Sequence, residues 1–188
     1  MRYAAKLKGA AGKSLPPVHL WNPEYCGEID LVIKRDGTWF HEGTPIGRAR
    51  LVRLFSTVLK REGAHHFLVT PVEKLGITVE DVPFVAVLMR REGDGKGQQL
   101  IFTTNVGDEA AAGPVHSLEF RKDPETGEGA PYIDIRAGLE ARIARAVYYE
   151  LVALGETHQI NGEEKFGVWS EGVFFPFGPA SEVFEKGS

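Results

Sequence analysis

The pattern of apolar and polar positions changes period several times along the chain. From Glu28, the residues Ile29, Leu31 and Ile33 recur every second position and predict a strand with one apolar face. Asp36-Gly37 is a tight hairpin signal, and residues 38–41 return as the partner strand. The spacing then lengthens. Leu51, Leu54, Phe55 and Val58 stand at i, i+3, i+4 and i+7, which predicts a helix over 46–61 that Gly63 ends. Residues 66–70 read as a short strand stopped by Pro71. PVEKLGITVEDVP follows as a strand or turn connection with Ile77 and Val79 pointing inward. The continuous apolar run over 84–89 predicts a central strand, which GDGKG links to a second strand over 99–104. Strands are expected over 115–121 and 130–136, joined by the loop DPETGEG. A second helix is expected over 137–154, with Leu139, Ile143, Val147 and Leu151 on one ridge and Gly155 as its stop. Strands over 165–170 and 172–177 close the pattern.

Part of this pattern is written twice. RARLVRLFSTVL at 48–59 lies over EARIARAVYYEL at 140–151 with Ala49/Ala141, Arg50/Arg142, Arg53/Arg145 and Leu59/Leu151 identical. Each copy has a tryptophan hairpin nearby, DGTWFHEGTPIG at 36–47 and FGVWSEGVFFPFG at 166–178, with the shared skeleton Gly-x-Trp, Glu-Gly and Pro-apolar-Gly. Self-similarity of this kind predicts an α+β fold of two similar lobes from an internal duplication, each an antiparallel sheet with one packed helix. The order is hairpin–helix in the first copy and helix–hairpin in the second, so the duplication has been rearranged or extended. Residues 1–16, with Lys6, Lys8 and Lys13 among Gly and Ala, are expected to form a flexible arm. The first lobe is expected over 17–106, with Trp21 and Pro23 plugging its sheet. The second is expected over 107–188, the Gly/Ala-rich stretch at 107–114 marking the boundary.

Composition narrows the function classes. With 43% hydrophobic and 26% charged residues the chain is ordinary for a globular protein. A formal net charge of −4 argues against broad binding to nucleic acid, which needs a dominant basic face. The single cysteine, Cys26, has no internal partner. The basic N-terminus lacks the apolar segment of a secretory signal, and no apolar run is long enough to span a membrane, so a cytoplasmic protein is expected.

The candidate chemistry lies on the non-core helix faces. Arg50, Arg53 and Thr57 stand at i, i+3 and i+7, and Arg142, Arg145 and Tyr149 repeat the spacing, so each set predicts a stripe on one helix face. Arg48 and Arg136 fall near the two expected helix N-termini, where the dipole already favours an anion. Guanidinium forks take carboxylate or phosphate bidentately, and Tyr148 or Tyr149 offers a stacking face. The two helices, facing one another across the lobe interface, would frame a cationic groove. The competing reading is a solvated face whose arginines pair with Glu140, Glu150 or other acids. Thr70, Glu73 and Lys74 are expected to line a cleft, against the alternative of a turn that satisfies its own backbone donors. GDGKGQQ lacks the Lys-Ser/Thr and helix of a phosphate loop. The six histidines show no ligand spacing, and there is no nucleophile elbow or carboxylate dyad. No metal, cofactor or catalytic residue is implied.

The run WNP, GEIDLVI, DGTWFHEGTPIGR, FLVTPVEK and VEDVPF resembles a proteobacterial family known as a domain of unknown function. YIDIRAGLEARIARAVYYELV and FGVWSEGVFFPFG are similar to that family's C-terminal signature, so the resemblance spans about residues 16–178. It implies a duplicated α/β core whose C-terminal half is superficially like a pleckstrin-homology domain. It also implies a pocket at the lobe interface suited to a nucleotide-like ligand, and a role in signal transduction. The expected function is a non-enzymatic module that binds a small, nucleotide-like anion, with neither nucleic acid nor membrane as partner. The alternatives are a protein-interaction adaptor without a small ligand, and an enzyme on a phosphorylated small molecule with Glu73 or Asp81 as base.

Overall fold

The computed structural model describes residues 14–123 and 126–179, and the chain divides into two compact units between Pro83 and Phe84. The expected arm over 1–16 falls almost wholly outside the described residues.

In the first lobe a single 3-10 turn, Val18–Leu20, precedes strand β1, Tyr25–Ile33. Strands β2, Trp39–His41, and β3, Thr44–Pro45, return from it as a meander. Helix α1, Ala49–Ser56, carries the chain to a second meander of β4, Leu59–Glu62, β5, His65–Val69, and β6, Lys74–Val79. The sheet order is β3-β2-β1-β6-β5-β4. Neighbours joined by tight turns pair antiparallel, whereas β1 and β6, joined through the whole of the rest, pair parallel at the centre. Leu31, Ile33, Trp39, Phe55, Val58, Leu59, Leu68 and Leu75 are buried as the core. Ile77 is buried with them and Val79 half-buried, in keeping with the inward direction expected of both.

The expected helix over 46–61 stops at Ser56. Ser56 and Thr57 turn their hydroxyls back onto the carbonyls of Arg53 and Leu54, at 2.7 and 2.6 Å, a local pairing that competes with helix continuation. Leu59 then pairs with Leu68 as a strand.

The second lobe contains β7, Phe84–Glu92, β8, Gln99–Thr104, β9, Glu109–Ala111, β10, Leu118–Lys122, β11, Gly129–Arg136, and β12, Leu139–Ile143. Their order is β10-β11-β12-β7-β8-β9, again two meanders whose first and last strands, β7 and β12, pair parallel. Strand for strand this is the topology of the first lobe, so the fold is α+β with a two-lobe duplication. Each sheet is mixed rather than antiparallel throughout. The lobe boundary is not at 107–114: β9 is an edge strand of the second sheet, and Ala110 and Ala112 are buried.

Helix α2, Arg145–Ala153, follows β12 and packs on β7 and on a three-stranded sheet of β13, Glu156–Ile160, β14, Glu163–Ser170, and β15, Val173–Pro179. The helix expected over 137–154 is therefore half strand. Ala137 and Gly138, both at positive φ, turn β11 into β12, and Leu139, Ala141 and Ile143 alternate inward. The two helices are not copies of one another. α1 joins two meanders, the corresponding β9–β10 connection has no helix, and α2 comes after the repeat ends. What the two tryptophan hairpins share is a Glu-Gly turn, Glu42-Gly43 and Glu171-Gly172, with positive φ at both residues as a two-residue hairpin loop requires.

Candidate functional site

The arginines fall into two groups. Arg136 sits at the end of β11 rather than at a helix N-terminus, and its Nε and Nη2 reach the same Asp108 oxygen at 3.3 and 3.2 Å while the guanidinium lies over Phe84. Arg142 projects from β12 onto Asp123, whose side chain is fully buried. Arg121 binds Glu140 through both Nη atoms at 2.7 and 3.0 Å. Arg145, the first residue of α2, donates from Nε to the Tyr149 hydroxyl at 2.7 Å. Arg142 is on a strand and Arg145 on a helix, so the expected stripe of Arg142, Arg145 and Tyr149 does not form. The pairing expected of surface arginines prevails here.

Helix α1 differs. Arg48, Arg50 and Arg53 are exposed, and among the described residues none has a carboxylate or other side-chain partner. Every other described arginine has a partner. The first turn of α1 holds no acidic residue, and its N-cap, Arg48, makes no side-chain capping bond. Arg48 and Arg50 at the helix N-terminus oppose the dipole, whereas Arg53, in the last turn, is favoured by it.

Of the two tyrosines, Tyr148 is half-buried against Phe120 and Phe177, at ring centroid distances of 5.3 and 6.4 Å, and burial pushes its hydroxyl above the ordinary value. Tyr149 is exposed.

A cavity of about 300 Å³ opens on the first lobe, lined by Tyr25, Glu28, His65, His66, Phe67, Lys74 and Ile77. Strand register explains it. Lys60, Phe67, Gly76 and Glu28 stand opposite one another across β4, β5, β6 and β1 and share a face. Gly76 leaves a gap in that row, and a bulge in β1 at Gly27, where φ is +103°, lets Glu28 lean into it. A Cβ on residue 76 would stand 2.1 Å from the Glu28 Oε1. The Tyr25 hydroxyl donates to that oxygen at 2.5 Å, a bond that holds the phenol above its ordinary pKa, and the Tyr25 ring meets Phe67 edge-on at 6.2 Å. Lys74 borders the cavity, 5.0 Å above the Phe67 ring and bound to Glu62 at 2.9 Å. Thr70 and Glu73 do not line it. The Thr70 hydroxyl accepts from the Glu73 and Val72 amides at 3.0 and 3.4 Å, the self-satisfied turn named as their alternative. Asp81 does not line it either. The sequence reading missed Tyr25, Glu28 and Phe67, because the parallel β1–β6 register that assembles them leaves no local signal.

Lys74 and Lys60 hold the Glu62 carboxyl below its ordinary 4.5, chiefly by hydrogen bonding. A carboxyl lowered in the folded state adds stability above its unfolded pKa and loses it as pH falls through the folded one. The stability gap between wild type and Glu62→Gln is expected to be constant above about pH 5.5 and to close below about pH 4.5. Denaturant titrations across that range check this; a gap unchanged at about pH 3 means the lysines do not carry it.

Among the described residues no three His, Cys, Asp or Glu side chains are grouped to hold a metal ion, and no helix is long and apolar enough to cross a membrane.

Two lobes with one six-strand topology, a helix-borne arginine face on the first and an added three-stranded sheet on the second define a duplicated α+β protein. The chain belongs to the DUF1285 family. The profile described as "Domain of unknown function (DUF1285), N-terminal domain" matches residues 16–82, and "Protein of unknown function (DUF1285), C-terminal domain" matches 83–177, a division next to the structural one. The crystal structure of a DUF1285 family protein from Silicibacter pomeroyi DSS-3 is similar at 52% identity and a TM-score of 0.88, with 96% of each chain covered. A second, from Shewanella baltica OS155, is 27% identical with a TM-score of 0.52, covering 65% of this chain and 90% of that one. Comparison with curated proteins returns no match.

Proposed function

We propose that the protein is a non-catalytic binding module for a small, multiply anionic ligand of nucleotide type, gripped by Arg48, Arg50 and Arg53 on α1. The observation that carries this is the contrast among arginines: among the described residues, those elsewhere have partners within the fold, and the α1 three have no side-chain partner. Freely presented guanidinium forks in a chain of net charge −4 match a phosphate, and an incoming anion removes the dipole conflict at the helix start. A cytoplasmic role in signalling and the pleckstrin-like description of the second lobe, where six strands run into α2, belong to the same reading.

A thermal-shift screen of the full chain against mono-, di- and cyclic nucleotides and inorganic phosphate tests it. A ligand at about a hundred times its Kd adds about 2.7 kcal/mol to stability. The rise is expected for a phosphate-bearing nucleotide and is expected to vanish in Arg50→Ala/Arg53→Ala, whose own stability stays within about 0.5 kcal/mol of wild type because both residues are exposed. A flat screen, or a rise that the double variant keeps, sinks the reading. The adaptor alternative has its own support in β7, where a register shift leaves the adjacent Val87 and Leu88 both exposed, at 41% and 63%.

A further inference from the structure

Glu28 lines the first-lobe cavity as an exposed carboxylate and, among the described residues, has no counter-charge. Lys74, the cation of the cavity wall, is bound to Glu62, and among the described residues the Glu28 carboxylate has the Tyr25 hydroxyl as its hydrogen-bond partner and no ion pair. That hydroxyl fixes the carboxylate's orientation, and the missing side chain at Gly76 makes its place. Each carboxylate oxygen accepts two hydrogen bonds, so Tyr25 leaves most of the acceptor capacity open toward the cavity. Beside it stand the Tyr25 and Phe67 rings, edge to face at 6.2 Å, which offer apolar area, with the Lys74 ammonium 5.0 Å over the Phe67 ring. A volume of about 300 Å³ is at the small end of ligand pockets, enough for one fused ring system.

We infer that this cavity binds a planar nitrogen heterocycle that presents two adjacent N–H donors, the amino-imine edge of a guanine-type ring, to the Glu28 carboxylate with its ring against Phe67 and Tyr25. The paired donors match the two oxygens bidentately, which is where a carboxylate discriminates most. A ring with one donor leaves one carboxylate oxygen without its hydrogen bond and binds more weakly, and one with an acceptor in place of the second sets a lone pair against the carboxylate and is rejected. Phe67 and Tyr25 supply binding area, and Glu28 supplies the choice.

This site is separate from the arginine face, and its test uses nucleosides, which carry no phosphate. Isothermal titration of the full chain is expected to show guanosine binding, with inosine, which lacks the 2-amino group, at least tenfold weaker. Glu28→Gln keeps the shape and replaces one acceptor by a donor. It is expected to lose guanosine at least tenfold and to gain xanthosine, whose edge pairs a donor with an acceptor, while melting at the wild-type temperature. Gly76→Ala is expected to weaken guanosine at least tenfold without unfolding, because the added Cβ meets the movable end of the Glu28 side chain. No guanosine binding at millimolar concentration, equal affinity for inosine, or guanosine binding undiminished in Glu28→Gln overturns the inference. The phosphate-dependent shift assigned to Arg50 and Arg53 is expected to survive Glu28→Gln, so the two can fail independently.

Discussion

Replacing Arg142 with alanine is expected to lower the stability of the protein by about 3 kcal/mol, a fall in Tm of more than about 10 °C for a lobe of this size. The reason is Asp123. Its side chain is fully buried, whereas that of Arg142 is 27% exposed, so the pair is asymmetric. Asp123 also caps the β10–β11 loop, with its Oδ1 accepting the Thr126 amide at 3.0 Å. Without the guanidinium a carboxylate stays buried with its counter-charge removed, and breaking one side of such a pair costs more than the pair contributes. Asp123→Asn should be milder, about 1 kcal/mol, because it keeps the amide bond and leaves Arg142 able to find water. Chemical denaturation of both variants measures the difference. Equal, small losses mean that water reaches Asp123 in the folded protein. The result also separates the arginines by structural role: Arg142 is not expected to be removable without disturbing the fold, whereas the exposed Arg50 and Arg53 are.

Trp39→Ala is expected to cost about 4 kcal/mol, within the usual span for emptying a buried aromatic site. Trp39 is 1% exposed, its strand β2 pairs through it with Ile33, and its ring stacks on Phe55 of α1 at 6.4 Å and 18°. Removing it opens a cavity and undoes the contact that seats α1, the helix that carries the arginine face. Trp39→Phe keeps a ring against Phe55 and should cost less than half as much. Trp169, its counterpart in the second tryptophan hairpin, is half-buried, with its Nε1 donating to Glu156 at 2.7 Å and its ring against His158 and Phe174. Trp169→Ala should therefore cost about 1–2 kcal/mol. With three tryptophans in the chain, circular dichroism is the fitting probe. Equal losses for the two variants mean that the buried Trp39–Phe55 stack is not what holds α1.

Local chemistry was legible in the chain itself. The strand at Leu31 and Ile33, the Asp36-Gly37 and Glu-Gly turns, the central run from Phe84 and the start of α1 each follow from contacts within a few residues. Duplication was legible too, but through the wrong elements. The helices look alike because both satisfy one amphipathic pattern, whereas the repeated unit is a pair of meanders whose strands share a topology and little obvious sequence.

Where two periods compete, only tertiary pairing decides. Leu139, Ala141 and Ile143 suit a strand, and Leu139, Ile143, Val147 and Leu151 suit a helix; Ala141 opposite Phe84 and Ile143 opposite Ala86 settle the first half as strand. The same distant pairings fix the chemistry. Arg142 is a structural cation because β12 sets it against Asp123, and Gly76 is a gap because β1 brings Glu28 to it. The sequence by itself determined which residues turn, alternate and carry charge, since those properties are local. Which charges are neutralised, and which stay exposed, was decided by strands that meet only in the folded chain.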